Sequence, residues 1–330
     1  MPIMRVTVRR PGQSTQAPIR IVKSASESRV KRSAKRPSRR SQAMTGGWSG
    51  QACGQAEDAG DMVGKSASPS GGADNRSQRG RLSFGYPSMR LNDDVYVLEL
   101  STLFGGQPLP VNLSLVVDAV RGATLVDTGA PGQEEAIAGA MAEAGVGIED
   151  LRRIILTHQH LDHVGSLHAL ARTSGALVLA HEVEAPFIDG SQPPEFARPE
   201  VLEATPPEFR SAVESFRPTP VDHRLTDGER LDMGGGVRVV ATPGHTPGNL
   251  CLYLERSRTL IAGDSLLAHR GRVYGPSSKF SADLPAARES VQKLAELDVR
   301  AIVCYHGGVV DDDANGQLQR LAAAGAWSPE

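Results

Sequence analysis

The chain has 330 residues, 39% hydrophobic and 22% charged, enough apolar material for a sizeable core, so wholesale disorder is excluded. Its formal charge of −2 averages unlike parts: residues 1–40 hold 12 Lys/Arg against the single acid Glu27, 41–88 are neutral, and 89–330 sum to −13. An acidic body argues against nucleic acid as the principal partner. In chain order, residues 1–88 come first and are rich in Ser, Gly, Arg, Gln and Pro. Such a stretch cannot bury enough apolar surface to offset its ordering entropy, so a disordered basic extension is expected. Two other readings are a translation start at Met89, and a basic arm or transit peptide.

From Met89 the pattern changes. Val95–Leu100, Val111–Val117 and Gly122–Val126 read as strands, the last running into Asp127-Thr128-Gly129. A helix over 133–145 is followed by a buried strand Ile154–Leu156, a helix from Gly165 to Ala171 and a strand Ala176–Ala180. Residues 186–220 hold eight prolines and read as an insertion of loops and short helices, too long for an ordinary connection and therefore a candidate lid. Strands resume at Val237–Thr242, Asn249–Leu254 and Thr259–Ala262, then a helix at 283–296, a strand Ala301–Cys304 and a helix at 314–325. Two batches of strands, each followed by helices, predict an α+β protein with two sheets face to face and helices outside, an αββα sandwich over 89–330. Three scattered cysteines (Cys53, Cys251, Cys304) make neither a disulfide framework nor a four-cysteine zinc site. With no apolar run of about 18–20 residues and no secretory signal, the expectation is a cytoplasmic protein with no membrane partner.

The informative run is Thr157-His158-Gln159-His160-Leu161-Asp162-His163. It places three histidines and an aspartate within six residues of a buried strand's end, where a chain turning into a helix can aim them at one centre. Imidazole suits zinc and iron, and carboxylate suits harder cations, so the mixed set favours a first-row metal. Further candidates stand at other strand ends: His245 in Pro243-Gly244-His245-Thr246-Pro247-Gly248, Asp264 after Gly263, and His306 before Gly307-Gly308.

These motifs together resemble the metallo-β-lactamase superfamily. The resemblance covers residues 95–310 and includes Asp127-Thr128-Gly129. It implies an αββα fold with two divalent metal ions, zinc first and iron or manganese as alternatives. His158, His160 and His245 would hold one metal, Asp162, His163 and His306 the other, with Asp264 bridging and Asp127 supporting the loop from behind. It also implies a hydrolase in which hydroxide between the metals attacks the carbonyl of a small ester, thioester or lactone, with Asp162 and Asp264 as catalytic residues. The alternative is an oxidoreductase like the mononuclear-iron persulfide dioxygenases of the same fold. Departures narrow the choice. Several true β-lactamases have Cys at the position of Asp264, the flavodiiron oxidoreductases have Glu at that of His160, and the quorum-quenching lactonases have Tyr where Leu267 stands.

Tyr274 and His181 are candidate pocket residues, and Tyr305 is a further candidate donor to an oxyanion, although its side chain should alternate away from His306. His168 is expected on a helix, and His223 and His269 in loops or on the surface. Cys251 and Cys304 read as core. Which small molecule is the substrate, and the oligomeric state, are not readable from these residues.

Overall fold

A computed structural model describes residues 88–104, 107–205, 207–276 and 278–324. The expected extension, up to residue 87, lies outside the described residues. Strands β1 (Ser88–Arg90), β2 (Val95–Phe104), β3 (Gln107–Val116) and β4 (Ala123–Val126) pair antiparallel in chain order. Helix α1 (Glu134–Glu143) leads to β5 (Leu151–Leu156), and α2 (Leu161–Val164) and α3 (Leu167–Ser174) lead to β6 (Leu177–His181). Both strands join the sheet in parallel, as helical crossovers require. After α4 (Ala185–Ile188), α5 (Pro199–Ala204) and α6 (Pro207–Ser215), β7 (His223–Leu225) completes a seven-stranded sheet.

The second sheet starts with β8 (Arg230–Leu231), β9 (Val237–Ala241), β10 (Leu250–Leu254) and β11 (Thr259–Gly263), all antiparallel. A hairpin of β12 (Leu267–His269) and β13 (Arg272–Tyr274) and helix α7 (Leu284–Leu294) come next. Then β14 (Ala301–Cys304) pairs parallel with β11, β15 (Gly308–Val310) finishes the six-stranded sheet, and α8 (Ala314–Ala324) follows.

Strand periodicity sorts the core into three layers. In β10, Leu250, Leu252 and Leu254 meet Val126, Ile155 and Leu179 of the first sheet, while Cys251 and Tyr253 face the layer of Val291, Leu294 and Leu318 from α7 and α8. In β5, Ile155 enters the layer between the sheets, and Ile154 and Leu156 pack with Ile137, Met141 and Leu167 from α1 and α3. Helix, sheet, sheet, helix is the expected sandwich.

The long predicted strands and helices are present with ends shifted by a few residues. The strands not predicted, β1, β7, β8, β12, β13 and β15, have two or three residues each, too few to display a period. His269 is exposed, as expected, at the end of β12, while His223 is half-buried on β7, and His168 is on α3 as expected. Residues 186–220 carry α5 and α6 and no strand among the described residues. None of the described helices is long and apolar enough to cross a membrane.

Candidate metal centre

β4 and β5 run side by side, and Asp127 and Thr157 leave them at the same edge. Asp127 takes the left-handed conformation, φ 63°, which an Asp tolerates better than most residues. Its buried carboxylate accepts the Thr157 N–H at 2.8 Å, the Thr157 hydroxyl at 2.9 Å and the His163 Nδ1–H at 2.9 Å. The Thr128 N–H and hydroxyl both reach the His163 carbonyl, at 2.7 and 2.8 Å. The DTG turn thus fixes the 157–163 loop from beneath. With Nδ1 donating to Asp127, His163 turns Nε2 away from it, into the cluster.

Other strand ends bring the remaining residues. The turn between β9 and β10 carries His245. At the end of β11 the register slips at Gly263, whose φ of 49° suits glycine, and a Cβ there would stand 3.0 Å from the Thr157 side chain. That turn delivers Asp264, and the end of β14 delivers His306.

The side chains converge. His245 Nε2 lies 3.1 Å from His158 Nε2 and 2.9 Å from His160 Nδ1. His306 Nε2 lies 3.4 Å from Asp162 Oδ2. Asp264 sits between the two groups: Oδ2 is 3.5 Å from both His245 Nε2 and His306 Nε2, and Oδ1 is 3.4 Å from His163 Nε2. Three sets each place their ligand atoms within 4.8 Å of one another: His158/His160/His245, His158/His163/Asp264 and Asp162/His163/His306. Sharing of His158 and His163 makes them one continuous cluster. His163 Nε2 and Asp264 Oδ1 are buried without a hydrogen-bond partner. Most buried polar atoms in proteins find partners, and these two face each other at 3.4 Å within a histidine–aspartate cluster, as at a metal site.

Protonation divides the cluster in two. Burial holds His158 well below its ordinary value and lowers His160, and it brings His245 down to about 4. These three are neutral imidazoles with lone pairs free to ligate. Burial also opposes the charged form of His163 and His306, but Asp264 and the nearby Asp162 outweigh it and raise both. Burial likewise works against ionised Asp162, yet His163 and His306 hold its carboxyl at about 2. Where carboxylates concentrate, histidine protons supply the positive charge a cation would bring.

Three expectations need correction or placement. Tyr305 is buried beneath the cluster, with its ring 3.8 Å from that of His163 and its hydroxyl donating to the Asp162 carbonyl, so it is not open to an oxyanion. His181 accepts the Val183 N–H on Nδ1 at 3.3 Å, and its charged neighbours are Glu182, Asp227 and Lys293 rather than any ligand. Tyr274 is paired with Leu267 at the base of the β12–β13 hairpin, which touches the cluster through the bond from Ala268 N–H to the His306 carbonyl. Burial pushes the Cys251 thiol up to about 11 and raises Cys304 further, so both stay protonated core residues.

Two residues had no signal in the sequence. Glu195, in the proline-rich insertion, gives its N–H to Gln159 Oε1 at 3.0 Å and places its carboxylate 4.0 Å from His160 Nε2. Glu184, fully buried, accepts bonds from both ligand-bearing loops. Each stands among other acids (Glu182, Asp189, Glu200) and reads as part of a solvated charged stretch.

Comparison with known proteins agrees with this geometry. Residues 106–306 match the sequence profile of the metallo-beta-lactamase superfamily. The chain is 30% identical over 204 residues to a protein of Bacillus subtilis named probable metallo-hydrolase YflN, covering 56% of this chain and 74% of that one. It is 32% identical over 224 residues to the uncharacterized protein YobT of the same organism, covering 65% and 91%. Among solved structures, a metallo-beta-lactamase family protein of Thermus thermophilus superposes with a TM-score of 0.57 at 28% identity, covering 72% of this chain and 80% of that one. The chain belongs to the metallo-beta-lactamase superfamily, with relatives named as metallo-hydrolases.

Proposed function

We propose that this metallo-hydrolase holds two divalent cations, zinc first, and hydrolyses a small ester, thioester or lactone by attack of water on its carbonyl carbon, which breaks the acyl C–O or C–S bond. The supporting observation is the continuity of the cluster, in which Asp264 lies within 3.5 Å of histidines from both groups. One position draws on His158, His160 and His245, the other on Asp162, His163 and His306, and Asp264 spans them. Cations bound there lower the pKa of water to about 7 and polarise a carbonyl oxygen.

The chain's own groups do the rest. Asp162 is ionised at neutral pH, and its side chain is 35% exposed, so it faces arriving substrate as a proton acceptor. It takes the proton of the attacking water and passes it to the leaving oxygen or sulfur. Asp264, only 10% exposed, is placed to ligate rather than to shuttle protons. Asp127 keeps Nδ1 of His163 protonated, so Nε2 is the ligating nitrogen. The insertion reaches the rim of the site through Glu195, where it would contact substrate.

Metal analysis of purified protein, followed by a panel of lactones, thioesters, phosphodiesters and β-lactams, tests the reading. Two zinc per chain with lactone, thioester or ester turnover is expected. One iron per chain with oxygen uptake would overturn it in favour of a persulfide-type dioxygenase.

A further inference from the structure

Glu184 lies outside every ligand segment, between the end of β6 and α4. Its side chain is fully buried, and a buried carboxylate is costly unless hydrogen-bonded. Here it has three donors. Oε2 accepts the backbone N–H of Gln159 at 3.0 Å, and Gln159 is the residue between His158 and His160. Oε1 accepts the Thr246 hydroxyl at 2.8 Å and the Gly248 N–H at 2.8 Å, both in the turn that carries His245. One carboxylate therefore ties together two loops 87 residues apart, the loops whose histidine nitrogens meet at 3.1 and 2.9 Å.

The choice of a carboxylate has a physical reason. Imidazole ligates a cation as the neutral base, so a cation held by His158, His160 and His245 would gain no charge from its ligands other than the shared Asp264. Glu184 places a carboxyl group behind that position, as Asp127 does behind His163. An acid with three donors and no acceptor-to-acceptor conflict also sets the spacing of both loops at once. Glutamine cannot replace it cleanly. Whichever oxygen becomes NH2, it then faces a backbone N–H, of Gln159 or of Gly248.

We propose that Glu184 is a positioning residue for the His158/His160/His245 position alone, clamping its two loops at ligating distance. This rests on the reading of those histidines as metal ligands. The decisive experiment titrates metal-stripped full-length protein with cobalt(II), following visible absorption and competition with a chromophoric chelator. Wild type should take up two equivalents; failure there would sink the reading of the site, not the role of Glu184. With two equivalents in wild type, Glu184→Gln should weaken one of them by about 10–100-fold and leave the other unchanged, the usual effect of losing an outer partner. Adding His306→Asn, which impairs the other position, should then abolish tight binding, whereas His306→Asn alone keeps one equivalent. Equal weakening of both equivalents in Glu184→Gln, or of neither, overturns the proposal. Should that variant fail to fold, Thr246→Val removes one of the three donors at constant shape. A smaller loss confined to the same equivalent supports the clamp, and wild-type binding overturns it.

Discussion

Asp162 and Asp264 carry the same functional group but sit in different surroundings, with side chains 35% and 10% exposed. On the proposed reading, the more open one exchanges a proton with substrate and the closed one does not. Replacing Asp162 with Ala should lower kcat by about 10²–10⁴-fold, the usual range for a lost general acid–base, measured with metal supplied in excess. A second residue-scale test concerns space. Gly165 gives its N–H to the Gly129 carbonyl, and a Cβ on it would stand 2.2 Å from the Pro131 nitrogen and 2.4 Å from the Ala130 carbonyl carbon. The DTG turn and the ligand loop can meet only because this residue has no side chain. Gly165→Ala should therefore cost about 1–3 kcal/mol, as overpacking does, and calorimetric melting should show it together with weaker metal retention.

Among the elements, the proline-rich insertion carries the short helices expected of it. It is pinned. Phe196 and Phe216 make an edge-to-face pair with ring centroids 5.2 Å apart, and Phe216 is buried on the core of the first sheet. Gln159, whose main chain is held by Glu184, uses its side chain to hold Glu195. The same residue thus connects metal loop and insertion. Glu195→Ala should raise KM while leaving metal stoichiometry at the wild-type value, since Glu195 belongs to none of the ligand sets; steady-state kinetics beside metal analysis would show it. The insertion was recognisable from its prolines and length, but its contacts were not, because a Gln and a Glu 36 residues apart carry no pattern that pairs them. The strands of four residues or more were legible because each is a run of apolar residues bounded by turn residues or charges. Pairs such as β12–β13 are made by a turn and by neighbours, which no local period announces.

At the scale of the whole molecule, the acidic balance lies in residues 89–330, the part that carries the cluster. The cluster also gives the metal-stripped protein a distinctive pH dependence. His163 and His306 have raised values when folded, so the folded state binds more protons than the unfolded one above the ordinary histidine value of 6.5. Their contribution is fully present below 6.5 and is lost as pH rises through the folded values. His158, His160 and His245 have lowered values and act in the opposite sense, costing stability as pH falls below 6.5. Melting temperatures of chelated protein should therefore peak near 6.5 and fall toward alkaline pH, and added zinc should remove the alkaline fall, because metal takes the place of those protons. A separate expectation concerns residues 1–87. Since the described strands and the cluster begin at Ser88, protein lacking 1–87 should keep the melting temperature, metal content and activity of the full chain.

The candidate cluster was legible in the sequence because metal ligands are particular residue types, and four of its seven members lie within six positions of one another. His245, Asp264 and His306 were also legible, since each interrupts an apolar strand at its end among glycines. The same local order determined the two batches of strands and hence the sandwich. What only the tertiary structure decided was which groups stand behind the ligands. Asp127 was expected behind the loop from the resemblance, but Tyr305 lying under His163 and Glu184 joining Gln159 to Thr246 and Gly248 depend on strands paired across long stretches of chain. A hydrogen bond selects its partner by distance and direction, and those are set by the packing of the sheets, not by neighbours in the chain.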